Sequence, residues 1–232
     1  MKRYLLRFWP MYLTCMIAFV ILATSASRAI TTMAEQTSVT RNITFIVDAG
    51  HGGEDGGATS CTGVLESNIN LQIALRLDDL LHLLGYNTVM IRKTDISVYT
   101  EGNSIATKKI SDLKARVATV NQTKNGILIS IHQNIFAESR YYGAQVFYNH
   151  VEGSEVIAER LQHNLVSSIN PGSNRQCKKS DGVYLMQQIQ SPGVLIECGF
   201  LSNPEEEVKL RDAIYQKHLC AVIAATLAQC VN

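Results

Sequence analysis

Two histidines and two glutamates in this sequence could together form a catalytic metal site. His51 lies in a glycine-rich run, and Glu66 follows that run. His132 and Glu197 each lie in a hydrophobic run further along the chain. Two imidazoles and one carboxylate are a common catalytic zinc ligand set, which leaves a fourth coordination position open. The remaining carboxylate could then act as a general base.

Alternating hydrophobic segments indicate which elements must position these side chains. Apolar runs predict β-strands at residues 43–49, 88–92, 126–132, 144–148 and 193–198. Helical patterns predict α-helices at residues 67–84, 111–121, 152–169 and 203–231. Strands that are apolar throughout and alternate with helices predict a single α/β domain, with a mixed, mostly parallel sheet and helices on both faces.

The four candidate residues fall at one edge of that predicted sheet. His51 follows the first strand by two residues, His132 ends the third strand, and Glu197 lies near the end of the last. In open α/β sheets, ligands bind in the crevice outside the carboxyl ends of the strands. Glu66 comes directly after the loop that contains His51 and opens the first helix, so it can reach the same edge.

Each of these residues also has an ordinary structural interpretation. A histidine in a strand is more often a hydrogen-bonded core residue than a metal ligand, and Glu66 alone at a helix start would favour a capping role. Glu197 lies in an otherwise apolar strand, where a charge is costly to bury without a partner, and this favours a function. Arg116 could contact an anionic substrate or form a salt bridge on a helix surface. We assign no role to His82, His150, His163 and His218.

Length and composition exclude several classes of protein. A chain of 232 residues, of which 46% are hydrophobic and 18% charged, can bury a sizeable core and is not disordered. The net charge of +1 is low for a nucleic-acid binder, so we expect no nucleic-acid partner. Residues 1–30 carry four bases and no acid, and the rest carries 17 bases against 20 acids. The near-neutral sum therefore averages a basic leader and a mildly acidic body.

The basic leader has the pattern of an export segment. A basic start precedes the apolar run Met11–Ala23, and small polar residues follow it. We predict a signal peptide or membrane anchor at residues 1–30. The segment could be cleaved after Ala26 or retained as an anchor, and the sequence leaves both open. Residues 31–42 are the predicted linker, and residues 43–231 are the predicted catalytic domain. We expect this domain to be exported across the cytoplasmic membrane.

The six cysteines show no recognisable disulfide pattern. Cys15 lies in the predicted leader, and the chain contains no Cys-x-x-Cys. A chain of this length does not need disulfides for stability. We expect most of the other cysteines to be free thiols that act as small hydrophobes, and we leave open a single disulfide among them. These cysteines are Cys61, Cys177, Cys198, Cys220 and Cys230.

Five motifs resemble those of the zinc-dependent N-acetylmuramoyl-L-alanine amidases of the amidase-3 type, and they occur in the same order. They are Val47-Asp-Ala-Gly-His-Gly-Gly53, Glu66-Ser-Asn68, Leu113-Lys-Ala-Arg-Val117, Ser130-Ile-His-Gln-Asn134 and Glu197-Cys-Gly-Phe-Leu-Ser-Asn203. The resemblance extends from about residue 43 to residue 230 and is closest to the germination-specific amidases of the spore cortex. The closer resemblance rests on the apolar N-terminus and on residues 173–176, 183–185 and 199–205.

The resemblance implies a role for each candidate residue. His51, Glu66 and His132 would bind one zinc ion per chain, and Glu197 would be the catalytic carboxylate. The implied reaction is hydrolysis of the amide that joins N-acetylmuramic acid to L-alanine of the peptidoglycan stem peptide. In spore cortex, the stripped muramic acid would be the precursor of muramic-δ-lactam, and a separate deacetylase would finish the ring.

Partners and location follow from the same resemblance. We expect a peptidoglycan substrate, a functional link to the muramic-δ-lactam deacetylase, and an accessory protein that supports activity or zinc loading. The expected site of action is the forespore intermembrane space or the cortex, with the protein either membrane-anchored or secreted. The alternatives are a general cell-wall hydrolase (autolysin) of the same chemistry, a non-catalytic zinc-stabilised wall-binding module, and another zinc peptidase.

Some amidases of this family carry a regulatory helix after the second histidine motif. Here only eleven residues, Gln133–Gly143, separate His132 from the next predicted strand, too few for a helix and its connections. We therefore expect no such helix, and we also expect no added wall-binding module.

Overall fold

The computed structural model of the chain describes residues 16–22, 24–25, 28 and 42–231. The chain divides into two units, residues 1–40 and 41–232. The described residues of the first unit are helical. Most of the predicted export segment, and all of the predicted linker except its last residue, lie outside the described residues. None of the helices that the described residues form is long and apolar enough to cross a membrane.

Strands and helices alternate along the second unit. In chain order the elements are β1 (Thr44–Ala49), α1 (Glu66–Leu83), β2 (Asn87–Met90), α2 (Ile105–Gln122), β3 (Gly126–Asn134), β4 (Gln145–Tyr148), α3 (Ser154–Ser168), β5 (Lys178–Lys179), α4 (Tyr184–Gln188), β6 (Gly193–Phe200), α5 (Pro204–Arg211) and α6 (Ala213–Val231).

The strands form one sheet in the order β2-β1-β3-β6-β4-β5. β1 pairs in parallel with β2 and with β3, and β3 pairs in parallel with β6. β4 runs antiparallel to β6, and the short β5 pairs in parallel with β4. The predicted α/β fold with a mixed, mostly parallel sheet is confirmed.

Helices cover both faces of the sheet because successive strand side chains point to opposite faces. Phe45, Val47 and Ile129 belong to the larger core cluster, which also contains the buried apolar residues of α1, α3 and α6. Ile46 and Leu128 belong to a smaller cluster with residues of α2 and α4. Since both faces are buried, the central strands are mostly apolar.

Helix α2 begins earlier than the sequence pattern predicted, at Ile105 rather than near residue 111. The Oγ of Ser104 accepts a hydrogen bond from the backbone N–H of Thr107 at 3.3 Å. The N–H of Ser104 donates in return to Oγ1 of Thr107 at 3.0 Å. This reciprocal cap starts the helix inside a polar segment, where apolar periodicity could not reveal it.

The predicted helix over residues 203–231 is two helices, which meet at Asp212. The Asp212 carboxylate accepts hydrogen bonds from the N–H groups of Ile214 at 2.9 Å and Tyr215 at 2.8 Å. A carboxylate in this position caps the start of α6. The short elements β5 and α4 were not predicted at all, because two and five residues carry too little periodicity.

Residues 135–144 connect β3 to β4 without a helix. The expectation that no regulatory helix follows His132 is confirmed. The segment is mostly exposed, and it lies directly after the strand that carries His132.

The five cysteines of the part that the structure describes are free. Cys198 and Cys220 are buried in the larger core cluster, where they act as small hydrophobes as predicted. Cys61 is exposed and takes no part in the core.

Candidate metal centre and active site

The carboxyl ends of β1, β3 and β6 bring three of the candidate residues together. Ala49 at the end of β1 pairs with Ile131 of β3, which places His51 beside His132. The two imidazole ring centroids lie 5.1 Å apart. His132 in turn pairs with Glu197 of β6, and the strand register shifts directly after this pair. Such irregularities are common beside active sites because they re-aim side chains.

Glu66 completes the group from the first residue of α1. Its Oε2 lies 3.2 Å from Nε2 of His51, and its Oε1 lies 3.1 Å from Nδ1 of His132. Each of the three side chains offers one ligand atom, and these atoms lie within 4.8 Å of one another. The side chains are 21% exposed for His51, 19% for His132 and 5% for Glu66, so solvent reaches part of each histidine. This donor set fits a catalytic zinc site.

Hydrogen bonds orient the members of this group. Oδ2 of Asp55 lies 2.9 Å from Nδ1 of His51, which leaves Nε2 of that ring available to a metal. Oε1 of Glu66 accepts hydrogen bonds from Nδ2 of Asn70 and from the backbone N–H of Gln133, each at 3.1 Å. Partners of this kind fix ring and carboxylate orientation at metal sites.

The local charges favour a cation. Although burial opposes ionisation, hydrogen bonds from His132 and His51 hold the pKa of Glu66 well below its usual range. Burial likewise opposes protonation of His51, but Glu66 and then Asp55 raise its pKa. Glu66 is therefore ionised at neutral pH. The same carboxylates favour a proton on His51, and a metal bound to that ring would take the place of the proton.

Glu197 lies beside this group without belonging to it. Its Oε2 is buried and has no hydrogen-bond partner. Burial raises the pKa of Glu197 to about 7, while the neighbouring His132 opposes the rise. A cation held by the three other residues would lower that pKa, because an opposite charge favours the carboxylate. A carboxyl group with a pKa near neutrality is suited to take up and release a proton.

Two glycines, Gly50 and Gly57, have no side chain and so leave space for the rings and the carboxylate of the candidate ligands. A Cβ on Gly50 would lie 2.2 Å from Cε1 and Nε2 of His132. A Cβ on Gly57 would lie 2.6 Å from Oε2 of Glu66 and from Cδ2 of His51. Gly57 also has a φ of +68°, which L side chains rarely adopt. The glycine-rich loop thus serves close packing of backbone against the candidate ligands.

Replacing Gly50 with Ala should weaken zinc binding about 10-fold or more while the sheet stays intact. The added methyl group occupies the space of the His132 ring, which must turn away from Glu66. Competition with a chromophoric chelator measures the affinity, and circular dichroism reports the fold. Gly182→Ala is the matched control, because a Cβ there meets no atom within 4 Å. Wild-type affinity in folded G50A would contradict this placement of His132.

Arg116 has one of the two roles weighed from the sequence, a salt bridge within its helix. Its side chain is 3% exposed and pairs with Asp48 and, at 2.6 Å, with Asp112. Its other hydrogen bonds go to the carbonyl groups of Ala49 and His51. Since the guanidinium is buried against the backbone of the His51 loop, the predicted contact with an anionic substrate is wrong. The salt bridge within the helix is confirmed with Asp112, although the guanidinium is buried and does not lie on the helix surface.

Sequence reasoning missed Asp55, Asn70 and Arg92. Asp55 follows His51 by four residues in the same glycine-rich loop, and a carboxylate so close to a candidate histidine ligand was a usable signal. Asn70 lies one helical turn after Glu66, on the same face of α1. Arg92 contacts this loop only through long-range hydrogen bonds, for which no local pattern exists.

Comparison with known proteins places the chain in a family. Residues 45–229 match the amidase-3 family, described as N-acetylmuramoyl-L-alanine amidase. The chain is 36% identical over 179 residues to the germination-specific N-acetylmuramoyl-L-alanine amidase of Bacillus subtilis (strain 168), which covers 76% of this chain and 75% of that protein.

Solved structures show the same likeness. The CwlD amidase from Clostridioides difficile, solved in complex with the GerS lipoprotein, matches with a TM-score of 0.78 and 36% identity, over 82% of this chain and 98% of that one. The N-acetylmuramoyl-L-alanine amidase from Clostridium difficile 630 matches with a TM-score of 0.70 and 29% identity, over 82% and 96%.

The family match includes all four candidate residues and confirms the resemblance seen in the motifs, including its closeness to the germination-specific amidases. The chain is accordingly an enzyme that acts on the amide between N-acetylmuramic acid and L-alanine, a bond of peptidoglycan. It belongs to the amidase-3 family of N-acetylmuramoyl-L-alanine amidases.

Proposed function

We propose that this amidase is zinc-dependent, with His51, Glu66 and His132 holding one zinc ion and Glu197 moving the proton. One observation carries the proposal. Three donor atoms lie within 4.8 Å of one another, and the strand beside His132 holds a carboxylate whose buried oxygen has no hydrogen-bond partner. Two imidazoles and a carboxylate suit zinc and leave a position open for catalysis.

The residues of the chain divide the work of hydrolysis. When bound, zinc supplies Lewis-acid activation of the scissile carbonyl and of the attacking water. Glu197 takes a proton from that water and delivers it to the departing amine of L-alanine. Its position opposite His132 in the paired strands and its raised pKa suit this transfer. Asp55 holds Nδ1 of His51, so that Nε2 is presented to Glu66 and the metal.

We further propose that the substrate is spore cortex peptidoglycan and that the reaction begins muramic-δ-lactam formation needed for germination. The likeness to the germination-specific amidase of Bacillus subtilis and to CwlD supports this role. A lactam ring needs a free carboxyl group and a free amine on the same sugar. Removal of the stem peptide supplies the carboxyl group, so a separate deacetylase must supply the amine.

Export and an accessory protein belong to the same proposal. Cortex peptidoglycan lies outside the cytoplasmic membrane, so residues 1–30 would export the catalytic domain as a signal peptide or an anchor. Residues 31–42 would link that segment to the domain at 43–231. The relative solved in complex with a lipoprotein supports an accessory protein that assists activity or zinc loading. The domain would then work in the forespore intermembrane space or the cortex.

Expression of the full chain in a Bacillus subtilis strain that lacks its germination-specific amidase tests this proposal. We expect the wild-type chain to restore muramic-δ-lactam to the cortex, measured by chromatography and mass spectrometry of digested spores. The E197Q variant should not restore it, because the proton-transfer group is missing. A vegetative-wall amidase expressed from the same promoter controls for amidase chemistry without cortex specificity.

The outcomes separate the alternatives. Amidase activity on purified wall without restored lactam would contradict the cortex role and favour a general autolysin. Zinc binding without any hydrolysis would contradict the catalytic assignment and favour a wall-binding module.

A further inference from the structure

Two arginines are buried behind the proposed metal ligands and contact the backbone around them. Arg92 and Arg116, the arginine pair, are each 2% exposed. Between them they donate hydrogen bonds to three successive carbonyl groups, those of Ala49, Gly50 and His51. Neither arginine takes part in the proposed hydrolysis.

Arg92 connects the loop that carries His51 to the helix that carries Glu66. Its Nε donates to the carbonyl of Ala49 at 2.8 Å, and its Nη2 donates to the carbonyl of Gly50 at 3.0 Å. The same Nη2 donates to the carbonyl of Ser67 at 2.8 Å. Because Ser67 directly follows Glu66, one guanidinium fixes the separation between two proposed ligands.

Arg116 connects the same loop to the strand that carries His132. Its Nη2 donates to the carbonyl of His51 at 2.7 Å, and its Nη1 pairs with Asp48. The other carboxylate oxygen of Asp48 accepts a hydrogen bond from Oγ of Ser130 at 2.7 Å. Ser130 lies two residues before His132 on β3, so the chain of contacts reaches the third proposed ligand.

The backbone of His51 needs such support. Its φ is 61°, in the left-handed region that residues other than glycine seldom adopt. Non-glycine residues persist there only when surrounding contacts hold them. The hydrogen bond from Arg116 to the His51 carbonyl is one such contact, and the bonds from Arg92 fix the two preceding carbonyls.

Charge alone does not explain the arginine pair. A guanidinium cation does not attract a metal ion, and the carboxylates of Asp48 and Asp112 already offset the charge of Arg116. Any benefit that the arginine pair brings to metal binding must therefore come from geometry. A guanidinium is a rigid planar fork with five donors, whereas a lysine ammonium is a compact head on a flexible stem. The fork holds several fixed carbonyl groups at once in set directions, as both arginines do here.

We propose that Arg92 and Arg116 are positioning residues that preorganise the metal centre by fixing the backbone of His51 relative to Glu66 and His132. The inference rests on the proposed function, since it assumes that these three residues hold zinc. Loss of either fork would leave the ligands present but displaced, which lowers the affinity for zinc.

The variants R92K and R116K test the proposal in the full-length protein. We expect each to bind zinc about 10- to 100-fold more weakly than wild type, the loss typical when a group that orients a ligand is removed. Competition with a chromophoric chelator gives the affinity, and the visible absorption of bound cobalt reports the ligand geometry. Urea unfolding of the zinc-free proteins shows that the comparison is made on folded chains.

A matched control separates positioning from general stability. Arg160 of α3 also donates to a backbone carbonyl, that of Gln229 in α6. R160K should therefore keep the zinc affinity of wild type within about twofold, since it leaves the backbone of the His51 loop untouched. Folded R92K and R116K proteins with wild-type zinc affinity and cobalt spectrum would overturn the proposal.

A milder variant covers the case in which R116K does not fold. D112N keeps the guanidinium of Arg116 and its pairing with Asp48 but removes the charge that Nε contacts at 2.6 Å. We expect a several-fold loss of zinc affinity, and an unchanged affinity would contradict the proposal. If the wild-type chain itself bound no zinc, the proposed function would fail first, which distinguishes the two failures.

Discussion

Replacing Glu197 with Gln should lower amide hydrolysis by about 10²- to 10⁴-fold while zinc stays bound. The amide of Gln has nearly the same size and shape, but it cannot accept the proton of the attacking water. His51, Glu66 and His132 are unchanged in this variant, so the metal content should match that of wild type. Rates on purified peptidoglycan and zinc content by mass spectrometry of the protein check both halves of the prediction.

The free energy of unfolding of E197Q should not fall together with its activity. Glu197 holds a buried oxygen without a hydrogen-bond partner, and burial raises its pKa to about 7. Because ionised Glu197 is costly to bury, we expect the free energy of unfolding of E197Q at neutral pH to equal or exceed that of wild type. Glu159→Gln, an exposed change on α3, is the control and should alter neither property. Near-wild-type hydrolysis by E197Q would contradict the role of Glu197.

Replacing His132 with Ala should abolish both zinc binding and hydrolysis. His132 is the proposed ligand on β3, and without it only His51 and Glu66 remain of the donor set. We expect the zinc affinity to fall by more than the roughly 10- to 100-fold that follows loss of a group that merely orients a ligand. Chelator competition measures the affinity, and release of stem peptide measures the activity.

His163→Ala is the matched control for this change. His163 is an exposed histidine of α3 and belongs to no cluster of metal-competent side chains among the described residues. Its removal should leave zinc affinity and rate at wild-type values. An H132A protein that still bound zinc tightly would show that the metal is held elsewhere and would remove the basis of the proposed mechanism.

The edge of the sheet that carries the site could be predicted because local patterns define it. β1, β3 and β6 are mostly apolar runs, and each leads towards its carboxyl end to one of His51, His132 and Glu197. The rule that parallel strands present ligand-binding groups at that end then brought the three together. Which glutamate joins the histidines was implied only by the resemblance, and the structure places Glu66, not Glu197, within hydrogen-bonding distance of both rings.

The supporting contacts could not be predicted, since their partners are distant in the sequence. Arg92 meets the carbonyl of Ala49 across 43 positions, and Arg116 meets that of His51 across 65. Helical spacing assigns Arg116 to a face of α2 but does not show that Asp48 lies behind that face. The early start of α2 after Ser104 was missed for a different reason. The residue three positions after the cap is Thr107, whereas the usual sequence signal at that position is Glu or Gln.

The most direct test of the zinc amidase account is product analysis of purified peptidoglycan digested by the full chain. The predicted products are stem peptides that begin with a free L-alanine amine and glycan strands that keep the lactyl carboxyl group. A chelator should stop their release, zinc should restore it, and the E197Q protein should release none above background. Cleavage inside the stem peptide, or release of the same products that a chelator does not affect, would contradict the account.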